Sequence, residues 1–88
     1  MSAEEEIREA ARVEEFLNDD VIQGALGRLE RLYYEEFKLA MSDEARVMAQ
    51  AKARVRDDVV TELQRIVRNG EHAVMDLQAR ARHQRSTT

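Results

Sequence analysis

Apolar residues return every three or four positions along most of this chain, most clearly between residues 42 and 69. There Met48, Ala51, Val55, Val59, Leu63 and Ile66 fall on one face of a helix. Neither Pro nor Gly interrupts the stretch. Ser42 stands where an N-cap is needed, and Asp43 and Glu44 occupy the first turn, where the helix dipole favours negative charge. Arg65 and Arg68 close the last turns, and Asn69-Gly70 then reads as a left-handed cap that stops the helix. A helix with one apolar face has to be covered. Residues 20–41 carry the matching stripe, Ile22, Leu26, Leu29, Tyr33, Phe37 and Ala40, with Ala25 and Leu32 alongside. The Met41-Ser42 turn is short, which predicts an antiparallel hairpin of two long helices. Its expected core and oligomer interface is Ile22, Leu26, Leu29, Tyr33, Phe37, Met48, Val55, Val59, Leu63 and Ile66.

Shorter helices are predicted on both flanks. Ser2-Ala3-Glu4-Glu5 has the form of a capping box. The helix it opens runs to about residue 17, with Ile7, Ala10, Val13 and Leu17 on one face and Phe16 beside it. That thin stripe fits two roles, a helix docked on its own domain or an arm reaching a neighbouring subunit. Asn18-Asp19-Asp20 breaks the chain, and Asn18 or Asp19 caps the next helix. Beyond Gly70 the pattern restarts to about residue 82, with Ala73, Val74, Leu77 and Ala81 on one side and Met75 off it. The expected organisation is one small all-α domain: an acidic N-terminal helix over 1–17, a hairpin core over 18–70, and a short helix with a basic tail over 71–88. Gly24 and Gly27, three apart near the start of the second helix, either only weaken it or let another helix approach closely.

Composition narrows this further. At 88 residues a monomer buries only about 60–65% of its chain surface and is marginally stable, and oligomerisation is a common remedy. Cys is absent, which excludes disulfides, thiolate metal sites and Cys-based catalysis. The apolar runs are far too short to span a membrane. The first ten residues are acidic, unlike a secretory signal or mitochondrial presequence, so a soluble cytoplasmic protein is expected. Residues 1–20 carry eight acids against two Arg, whereas residues 51–70 carry five bases against three acids. This front-to-back polarity suits self-association, and no segment is densely basic enough to make nucleic acid the favoured partner.

No catalytic pattern emerges. Glu35 and Glu36 are adjacent on a helix and diverge by about 100°, so they cannot meet at one substrate atom. His72 and His83 complete no Glu-x-x-His run. Neither a cofactor, a metal nor a small-molecule substrate is expected, and an enzyme is not. Two basic groups remain as candidate contacts for nucleic acid or an acidic partner. Lys52, Arg54 and Arg56 are followed at once by Asp57 and Asp58, which suits a salt-bridged surface; Arg80, Arg82 and Arg85 lie in a stretch without acids.

Several runs together resemble a group of small helical proteins encoded by tailed phages and prophages near head and DNA-packaging genes. They are the break Asn18-Asp19-Asp20-Val21, the run from Ala25-Leu26 through Leu29-Glu30 to Tyr33, the pair Glu36-Phe37, and the ending Leu63-Gln64-Arg65-Ile66-Val67-Arg68-Asn69-Gly70. The likeness spans residues 16–77, about two thirds of the chain. It departs from the group at Asp19, where Pro is common, and at Phe37, where Trp is common. The resemblance implies a non-enzymatic assembly role as a homo-oligomer, with other phage head or packaging proteins as partners and the host cytoplasm or the virion as location. A packaging factor like a small terminase subunit, touching DNA through the two basic groups, is the alternative. A helical regulator of a host protein is the third reading.

Overall fold

The structure is a computed structural model that describes residues 1–87, and the side chains of residues 1–85. Three helices account for nearly all of it: α1 (Ala3–Leu17), α2 (Asp20–Leu39) and α3 (Asp43–Thr87). No strand occurs among the described residues. The protein is therefore all-α, as its periodicity predicts.

The helix starts follow from short polar side chains. The Glu5 amide donates to Ser2 Oγ at 3.2 Å, and the Ala45 amide donates to Ser42 Oγ at 3.1 Å. Asp19 proves to be the cap of α2, its carboxylate accepting from the amides of Val21 and Ile22 at 2.9 and 3.1 Å. Each bond satisfies a donor that the first helical turn would otherwise leave unpaired.

The expected stop at Asn69-Gly70 does not occur. Residues 69 and 70 lie inside the 45-residue α3, and no glycine among the described residues has a positive φ. The separate short helix expected over 71–82 is thus the continuation of α3. The reason lies opposite Gly70. A Cβ there would sit 2.1 Å from Ala10 Cβ and 3.3 Å from the Glu6 carbonyl oxygen. Glycine at this position makes room for a neighbouring helix, and the left-handed conformation it permits is not used.

The chain divides into two compact units, and α3 contributes to both. One comprises Met1–Phe16 and the part of α3 from Leu63 onward. In it Ala10, Gly70 and Ala73 are buried, and Ile7, Val13, Leu63, Ile66 and Val67 are half-buried around them. Val13 and Phe16 share a surface groove with Leu63, while Ala3 shares one with Leu77 and Arg80. The numbers run in opposite senses, so the two helices are antiparallel.

The other unit is Leu17–Glu62. Glu36 pairs with Lys52, and Leu26 and Glu30 both meet Arg56, so α2 and the first part of α3 also run antiparallel. On α2 the less exposed positions Ile22, Leu26, Leu29, Tyr33 and Glu36, continued by the C-cap Ala40, alternate by four and three residues, with Gly24, Ala25 and Gly27 also partly buried beside them; the less exposed positions of α3 in this unit are Ala49, Ala53, Arg56 and Val60, with the same alternation. This 3.5-residue period is that of a coiled-coil seam. Ala49 is the one buried position of this unit. Across both units every buried position among the described residues is Ala or Gly, so the helices meet at close backbone approach and larger side chains spread to the sides.

Candidate functional site

In the Leu17–Glu62 unit, the seam leaves an apolar flank uncovered. Met48, Val55 and Val59, expected to face α2, are instead each more than half exposed. The side chains that do face α2 are one helical step away, at Ala49, Ala53, Arg56 and Val60. The larger Met and Val residues define the more conspicuous stripe in the sequence, but small Ala residues allow the closer approach. On α2 the expected inward positions Ile22, Leu26, Leu29 and Tyr33 are half-buried, whereas Phe37 lies at the exposed edge and Glu36 takes its place on the seam. Leu63 and Ile66, in the other unit, are half-buried.

Helical phase decides which exposed residues share a side. Ala25, Leu32 and Leu39 each stand one residue before a seam position of α2; Lys52 and Val59 stand one before a seam position of α3. In an antiparallel pair, positions at the same step from the seam lie on the same flank. Leu32, Leu39 and Val59 therefore line one side of the layer. Val21, Met48 and Val55 fall at its outer edge. All six are exposed by half or more. The other flank carries Gln23, Glu30, Gln50 and Asp57, with Phe37 its one large apolar residue. Leu32 stands beside the stripe in the sequence. The placement of Val21 and Leu39 on this flank emerges only once the four-three alternation of the seam is known.

The basic residues of the third predicted helix do not form a common patch. Lys52 Nζ lies 3.0 Å from Glu36 Oε2. Arg56 is 18% exposed and pairs with Asp57 at 3.0 Å and Glu30 at 3.7 Å. It also donates to the Leu26 carbonyl at 3.2 Å, while its Nε is buried without a hydrogen-bond partner. Arg54 is exposed. The salt-bridged role expected for Lys52 and Arg56 matches these pairs. Arg80, Arg82 and Arg85 are exposed along the later part of α3, and Thr88 of the tail lies outside the described residues.

Other surface features are shallow. A groove of about 680 Å³ belongs to the unit with Met1–Phe16; Val13, Phe16 and Leu63 line it together with Arg8 and Arg12. Among the described residues no three His, Asp or Glu side chains gather as a metal site. No described helix is long and apolar enough to cross a membrane. Comparison with family models, curated proteins and solved structures finds no match to this chain.

Proposed function

We propose that this chain is a non-enzymatic structural or assembly protein of a phage particle that works by helix-mediated self-association and protein–protein contact. The observation that carries the self-association is the exposed flank of Leu32, Leu39, Met48, Val55 and Val59, set against a core whose buried positions, among the described residues, are Ala and Gly. Monomeric proteins rarely leave a contiguous apolar face open, and such a face marks an interaction surface. On this reading α2 and residues 43–62 of α3 act as a helical hairpin module that offers one face to a partner. The phage setting rests on the resemblance over residues 16–77, with a host-cytoplasmic or virion-associated location.

DNA contact is the weaker reading, because Lys52 and Arg56 are already paired within the chain. It would rest on Arg54, Arg80 and Arg82. Light scattering on a sizing column, at low and high salt with and without duplex DNA, separates the two. A discrete oligomer whose mass ignores DNA is expected. A mass that rises with DNA at low salt alone would favour the packaging factor, since phosphate contacts weaken steeply with salt. A monomer that gains mass only with a stoichiometric host protein would favour the regulator.

A further inference from the structure

Resting on the self-association reading, we infer that the apolar flank of the α2/α3 pair seats a second copy of this chain, face to face about a twofold axis at the level of Leu32 and Lys52. Only one flank is apolar. The opposite one is occupied by the Glu30–Arg56–Asp57 ion pairs, which leaves one face on which two copies can meet.

Charge fixes the register. Arg28 and Glu35 stand seven residues apart on the outer edge of this flank, on either side of Leu32, and neither makes an ion pair among the described residues. A twofold axis perpendicular to the helices lays α2 antiparallel on α2 of the second copy, and α3 antiparallel on α3. With the axis at Leu32, Arg28 of each copy meets Glu35 of the other; Leu32 meets its own copy, and so does Lys52, whose charge is already paired with Glu36 at 3.0 Å within each copy. The same axis sets Ala25 against Leu39 and Met48 against Val55, small or slender residues against larger ones, as a close-packed layer requires. Moving the axis along α2 by one turn in either direction places Arg28 against Arg28 or Glu35 against Glu35. Those registers are opposed by like charge, and the interface is isologous and closed, so association ends at the dimer.

The test uses charge reversal and a crosslink on the full chain. Arg28→Glu and Glu35→Arg are each expected to weaken the dimer on the order of 10-fold or more, through two repulsive contacts apiece. The double variant Arg28→Glu/Glu35→Arg restores it. Both positions are exposed, and helix content by circular dichroism checks that folding is intact. Because the chain has no Cys, Leu32→Cys introduces a single thiol at the axis. Under mild oxidation it is expected to give a covalent dimer, whereas Gln50→Cys on the opposite flank gives none. A dimer without charge-swap rescue and without the Leu32→Cys crosslink overturns this interface and leaves self-association standing. A monomer for the unmodified chain overturns both.

Discussion

At position 70 an added methyl would lie 2.1 Å from Ala10 Cβ, far inside van der Waals contact. Gly27, also in the middle of a helix, has nothing within 4 Å of the same point. The two glycines therefore respond oppositely to the same change. Gly27→Ala is expected to stabilise by about 0.5–1 kcal/mol through helix propensity and the lost freedom of the unfolded chain. Gly70→Ala is expected to destabilise by about 2 kcal/mol, because overpacking exceeds that gain. Adding Ala10→Gly should recover part of the loss, with a coupling of about 1 kcal/mol in a double-mutant cycle read by urea unfolding. Strict additivity would show that the two positions do not touch. Arg56 offers a different residue-scale test. Its partners Glu30 and Asp57 are well exposed, so their loss costs each less than about 1 kcal/mol. Arg56→Met keeps the buried stem and removes the unpartnered Nε, and the melting temperature is expected to hold or rise. A fall of several degrees would show the pairs to be structural.

At the scale of the element, the continuity of α3 through Asn69-Gly70 is the main departure from what the sequence suggests. Helical carbon chemical shifts across residues 68–72, with protected amides at Gly70 and Glu71, are expected in solution. Coil shifts there would restore the helix stop. Ser42→Ala should cost about 1 kcal/mol as α3 loses its cap, measured by thermal unfolding. The caps at Ser2 and Ser42, and that of α2 to within Asn18 or Asp19, were legible because each is a local exchange between a short polar side chain and amides two or three residues on. The half-buried stripe of α1, Ile7, Val13 and Leu17, was legible for a similar reason: one period, one face. Gly70 was not legible, since Asn-Gly reads alike whether it turns the chain or admits a neighbour, and only the position of Ala10 decides. The seam of α3 was displaced for a related reason. Apolar size points to Met48, Val55 and Val59, while packing selects Ala49 and Ala53 and places Arg56 between α2 and α3.

For the whole molecule, the surface left open matters more than the surface closed. Among the described residues full burial is confined to Ala10, Ala49, Gly70 and Ala73, and the larger apolar side chains are at most half-buried, so a monomer gains only part of the hydrophobic stabilisation that a chain of 88 residues can draw on. Self-association on the Leu32 flank would supply the rest, and it makes unfolding concentration-dependent. Val55→Asp, with its side chain on that flank, is expected to lower both the oligomer mass and the melting temperature; a stable dimer with an unchanged melting point would place the contact elsewhere. The most direct measurement is the mass of the unmodified chain by equilibrium sedimentation at micromolar concentration and high salt, where ion pairs are screened and apolar burial is not. A species of twice the 10.2 kDa chain mass is expected. A single species at 10.2 kDa would contradict self-association through the apolar flank.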